Sequence, residues 1–193
     1  MKICSTIVLL LAVAFNLNAA DIVSALKFIP EVSDIKKIET NGFIESYTFN
    51  FEQPIDHRKP ELGTFKQRVV LQHNKQSAPI VVVLEGYMIW GYTKSEPCEI
   101  VDGNQIIFIE HRFFAESIPA DGNIPWEHLT IYNAAHDQHR IIEALKNKVY
   151  KKNKWLTTGI SKGGQTTIFH RFFFPKDVDV SVPYVAPLNL DFV

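Results

Sequence analysis

Ser161 lies between two glycines in the run Gly159-Ile160-Ser161-Lys162-Gly163. A serine held in a sharp turn of that kind can attack an acyl carbon. The pattern alone is weak, because with Gly and Ser each about 7% of residues roughly one chain in fifteen of this length carries it by accident. Its neighbours supply the weight. Residues 155–158 read as a buried strand, and 164–174 as a helix that Pro175 ends. Strand, tight turn and helix in that order make a nucleophile elbow, and flanking glycines let the chain turn so sharply. The turn also aims the Lys162 backbone N–H, at a helix N-terminus, toward an oxyanion forming beside the serine.

Other residues bear on the same chemistry. Glu85-Gly86-Tyr87 follows directly on the apolar run 79–84, where an elbow fold places its second oxyanion donor. Gly86 would let backbone approach substrate closely, although an ordinary strand-end turn also explains it. Glu85, and Glu110 after the next apolar run, are placed to carry charge to that edge, where a carboxylate would bind the free α-amino group of a peptide. Glu110 reads equally well as part of a structural ion-pair corner with His111 and Arg112. The base is harder to find. Serine needs a histidine within hydrogen-bond reach, oriented by a carboxylate that precedes it in the chain. The one histidine after Ser161 is His170, and at about 1.5 Å rise per residue it lies ~13 Å along the same helix. It reads as a helix surface or packing residue. Asp177, Asp179 and Asp191 follow, with no usable histidine after them.

The elements that must position these groups alternate along the chain. A polar, helix-prone segment runs to about Thr40. Residues 42–51 and 65–73 then alternate in hydrophobicity and suggest an antiparallel ribbon, with Asp56 to Pro60 in its connection. The runs 79–84 and 105–110 are continuous and β-branched, as strands covered on both faces are. A helix is expected over 131–150, because Ala134, Ile141, Ile142, Leu145 and Val149 share one face of a 3.6-residue period. His136, Asp137, His139, Arg140 and Glu143 read as its solvated side. A last strand is expected over 178–182. Strands alternating with helices predict a parallel α/β sheet, with the loops after its strands gathered on one edge, where ligands bind.

Composition narrows the class. At 193 residues and 46% hydrophobic, the chain reads as one folded domain or part of a larger one. A net charge of −1 gives no reason to expect nucleic acid or an anionic membrane surface as partner. The basic run Lys146, Lys148, Lys151, Lys152 and Lys154 suits the C-terminal end of a helix. Residues 1–20 have the layout of a secretory signal peptide: Lys2, an apolar stretch over 7–15, then Leu17-Asn18-Ala19-Ala20. That stretch is too short to span a bilayer, which takes about twenty residues. The expectation is a secreted or periplasmic protein with a mature part at 21–193. Cys4 would leave with the signal, so Cys98 would stand alone, and no Cys or His grouping has metal-ligand spacing.

Taken together, the motifs resemble the secreted bacterial tripeptidyl and prolyl tri/tetrapeptidyl aminopeptidases, serine peptidases to which prolyl carboxypeptidases are more distantly similar. The matching stretches run from Phe51-Glu52-Gln53-Pro54-Ile55-Asp56-His57 and Gly63-Thr64-Phe65-Lys66-Gln67-Arg68-Val69 through Glu85-Gly86-Tyr87 to Glu110-His111-Arg112-Phe113-Phe114-Ala115-Glu116-Ser117. They continue in Trp126-Glu127-His128-Leu129-Thr130, Ala134-Ala135-His136-Asp137 and the block from Gly159 to Pro187. The resemblance implies an α/β-hydrolase fold and removal of short peptides from free N-termini. It implies Ser161 as nucleophile, an oxyanion hole from Lys162, Gly86 and Tyr87, and no metal or cofactor. Members of that family run about twice as far, so the catalytic aspartate, histidine and cap are expected beyond residue 193. On that reading residues 21–193 are the N-terminal part of a catalytic domain, inactive or weakly active alone. An esterase or lipase of the same fold and a non-catalytic exported remnant are the rival readings. Residue types leave P1 preference, peptide length and oligomeric state open.

Overall fold

The computed structural model describes residues 22–92 and 105–187, with Pro97, Ile100 and Val101 between them. The expected signal peptide, Cys4, Cys98 and Asp191 lie outside the described residues. The chain begins with α1 (Ile22–Lys27), β1 (Val32–Lys37), β2 (Glu45–Pro54) and β3 (Thr64–His73), followed by β4 (Ile80–Leu84) and β5 (Gln105–Ile109). Then come α2 (Ile131–Lys148), β6 (Trp155–Ile160), α3 (Lys162–Phe173) and β7 (Val180–Tyr184). One sheet runs in the order β1-β2-β3-β5-β4-β6-β7. The β1–β2, β2–β3 and β3–β5 pairs are antiparallel, whereas β5–β4, β4–β6 and β6–β7 are parallel.

The parallel half forms where both faces can be covered. Along β4, Ile80, Val82 and Leu84 enter a large core beneath α2, joined by Ile107, Ile141, Ile142 and Leu145. The alternate residue Val81 packs on the opposite face with Val70 and Phe108. A period-2 strand with two apolar faces reads as an unbroken apolar run. Burial of each such side chain contributes about 1.5–3 kcal/mol. The start of α2 is fixed by Thr130, whose hydroxyl accepts a hydrogen bond from the Asn133 N–H at 3.1 Å, a cap worth about 1 kcal/mol.

Two expectations need correction. The polar segment before Thr40 is not mainly helical, since α1 spans only Ile22–Lys27 and β1 follows. β1 has a charged sequence because it is an edge strand with little of its surface covered. Within α2, Asp137 is not solvated but fully buried, as is Gln138 nearly so. Strand bounds move by a few residues elsewhere: β2 reaches Pro54, β6 reaches Ile160, and the last strand is Val180–Tyr184.

Candidate active site

β4 lies between β5 and β6, so the segments that leave the C-terminal ends of β4 and β6 emerge side by side. Ser161 is the single residue between β6 and α3, with φ 55° and ψ −119°. A non-glycine residue there holds about 1–3 kcal/mol of backbone strain, characteristic of an elbow. Its hydroxyl is not used to cap α3, and the residue is exposed. Its backbone is fixed from both sides. The Ser161 N–H donates to the Tyr184 carbonyl at 3.0 Å, and its own carbonyl accepts from the Gln165 N–H at 3.1 Å. Gly163 is required for close approach, since a Cβ on it would stand 2.6 Å from the Leu84 carbonyl oxygen at the end of β4.

The second loop meets the elbow directly. A Cβ on Gly86 would stand 2.6 Å from the Lys162 Cβ and 2.8 Å from the Gly163 nitrogen. Only a glycine lets the two backbones touch there. The Lys162 ammonium donates to the Gly86 carbonyl at 2.5 Å, and the Tyr87 carbonyl accepts from the His111 N–H at 2.9 Å. Ser161, Lys162, Gly86, Tyr87 and Glu85 line one cavity of about 820 Å³. Its remaining walls are largely apolar and include Trp90 and Phe108.

The two carboxylates reach different places. Glu85 lines the cavity, and burial, with the Glu110 charge second, pushes its pKa up to about 7. Glu110 is fully buried and is not among the lining residues. Its carboxylate accepts from the Ile89 N–H at 3.2 Å and from the Ser117 hydroxyl at 2.8 Å. It does not form the ion-pair corner with Arg112 considered from sequence, because Arg112 pairs with Asp137. Among the described residues, the cavity lining contains no histidine. His170 is fully buried, with Nε2 3.0 Å from the Asp177 carboxylate that also meets His139 Nδ1 at 2.8 Å. Burial of His111 lowers its pKa to about 4, which keeps it neutral behind the loop.

Sequence reasoning missed a buried polar lock. Arg112, fully buried, binds both oxygens of Asp137 at 2.7 and 3.0 Å. Its other donors reach the carbonyls of Pro54, Ile55 and His128 at 3.0, 2.9 and 2.7 Å. His57 Nε2 closes on Asp137 Oδ1 at 2.7 Å. The segments that carry Pro54 to His57, Arg112, His128 and Asp137 are thereby tied together. Spacing carried a signal for this, since Asp137 is three residues after Ala134 and four before Ile141, on the buried stripe of α2.

A family model described as PS-10 peptidase S37 matches residues 16–192. A curated prolyl tri/tetrapeptidyl aminopeptidase from Streptomyces mobaraensis is 41% identical over 181 residues, a match that takes in 93% of this chain and 37% of that protein. The chain therefore spans little more than a third of the length of that relative. Among solved structures, an acetyl xylan esterase from Paenibacillus sp. R4 aligns with a TM-score of 0.54 and 15% identity, over 84% of this chain and 56% of that one. Identity that low speaks for the fold alone, and the fold is that of the α/β hydrolases.

Proposed function

Because the chain belongs to the PS-10 peptidase S37 family, we propose that it carries the nucleophile of a serine exopeptidase acting on peptides with free N-termini. The observation that carries this reading is the strained Ser161 elbow set against the Gly86–Tyr87 loop at the mouth of a cavity. The Ser161 hydroxyl oxygen attacks the scissile carbonyl carbon, and the oxyanion so formed accepts from the N–H groups of Lys162 and Tyr87. The intermediate collapses to an acyl-serine as the amine leaves with a proton, and water then releases the acyl peptide. The histidine that moves those protons and its orienting carboxylate lie beyond residue 193 in this reading. Glu85 receives the substrate's α-ammonium group and so measures how far the N-terminus lies from the scissile bond. Export through a signal peptide at residues 1–20 belongs to the same proposal.

The test uses the full-length protein with Ala-Ala-Pro and Ala-Ala-Phe p-nitroanilides. Hydrolysis of both free peptides, lost by 10⁴-fold or more in Ser161→Ala, is the expected result. N-acetylated peptides are expected to be poor substrates. Residues 1–193 alone are expected to show little or no turnover, since a triad member is worth on the order of 10⁴ in rate. Turnover of p-nitrophenyl esters with no cleavage of free peptides would instead assign an esterase.

A further inference from the structure

The side chain of Lys162 has an unusual position for a cation. It occupies the first turn of α3, whose dipole favours anions there, and that turn contains no acidic residue. Burial lowers its pKa. Its ammonium meets the Gly86 carbonyl at 2.5 Å and lies 4.7 and 5.2 Å from the ring centroids of Tyr87 and Phe114. Those two rings pack edge to face at 5.3 Å, so the ammonium sits in a built niche.

The partner of that ammonium has a chemical consequence. A trans peptide unit is planar, and its C=O and N–H point in opposite directions. The Gly86 carbonyl belongs to the same peptide unit as the Tyr87 N–H. Glycine lacks the Cβ that would restrict rotation of this unit, so something else must fix it. The next carbonyl along, that of Tyr87, is already held by the His111 N–H. We propose that the Lys162 ammonium is a positioning residue for the oxyanion hole: it grips the Gly86 carbonyl and so holds the Tyr87 N–H in the one orientation that can donate to substrate. The idea rests on the peptidase reading of Ser161 and adds a second task for Lys162, whose backbone N–H is the other donor. The same residue then supplies one donor and orients the second.

Lys162→Met and Lys162→Gln remove the charge at similar length, and Lys162→Arg keeps it. In the full-length protein, kcat on Ala-Ala-Pro p-nitroanilide is expected to fall on the order of 10- to 100-fold in the two neutral variants, since loss of one oxyanion donor costs about 10²–10³. KM should stay within about twofold, and Arg should restore part of the loss, because uniform binding is untouched. Affinity for a peptide boronate, which places an oxygen in the hole, should fall by the same factor as kcat, while the melting temperature stays near that of the parent. Unchanged kcat, or a kcat loss that boronate affinity does not follow, overturns the proposal. Loss of folded protein in Met and Gln variants alike assigns Lys162 to the scaffold and overturns it too. A parent protein with no peptidase activity removes the underlying reading, and the positioning role with it.

Discussion

At the scale of single residues, two properties would set the proposed chemistry: where the Ser161 hydroxyl is aimed and which proton the Glu85 carboxyl in the same cavity keeps. Glu85 lines the cavity with its pKa raised from 4.5 to about 7, burial being the larger cause and Glu110 the smaller. Between those two values the folded chain binds more protons than the unfolded one. Stability from this group is therefore complete below pH 4.5 and declines as pH rises through about 7. Glu85→Gln should flatten that decline, which melting temperatures between pH 5 and 8 will show. The binding consequence runs the other way. A substrate ammonium prefers the ionised carboxylate, so KM for free peptides should drop as pH rises through about 7, and Glu85→Gln should abolish the drop and raise KM.

At the scale of elements, a buried ion pair ties together segments distant in the chain. The Arg112–Asp137 pair is fully buried and bidentate, with His57 as a third member. Asp137→Asn removes the charge that compensates Arg112. Breaking a buried pair from one side costs about 3–5 kcal/mol, and urea unfolding should register a loss of that size. Arg112→Met combined with Asp137→Leu should recover only part of it: neither charge is then left buried alone, but the carbonyls of Pro54, Ile55 and His128 and the His57 ring lose their partners. This lock also shows what a sequence conceals. The apolar runs of β4 and β5 were legible because both faces of those strands are covered, and the elbow was legible because a strand precedes and a helix follows its glycine-flanked serine. Asp137 was overlooked despite its place on the apolar stripe, because an acidic residue on a helix usually faces water and its partner His57 lies 80 positions away. β1 was unreadable for the converse reason. As an edge strand it packs only Val32 and Ile35 on the core, and a register shift between Ser33 and Lys36 breaks the alternation that would betray it.

At the scale of the whole molecule, the antiparallel strands β1 to β3 form one flank, and the parallel strands β5, β4, β6 and β7 present the edge that carries the candidate site. That edge was foreseeable, because loops after parallel strands converge. The choice of Glu85 over Glu110 as the carboxylate that enters the cavity was not. It depends on the Ser117 hydroxyl and the Ile89 N–H holding Glu110 inside. Ser161 itself, at φ 55° and ψ −119°, occupies a region in which only glycine is at ease. Ser161→Gly should therefore yield a chemically dead protein that withstands heat better than its parent. Relief of about 1–3 kcal/mol of strain, less the added freedom of an unfolded glycine, leaves a gain of about 1 kcal/mol. Calorimetry on the purified variant measures it. Under the proposed function, reactivity at this position and durability of the molecule are thus opposed, and one hydroxymethyl group decides between them.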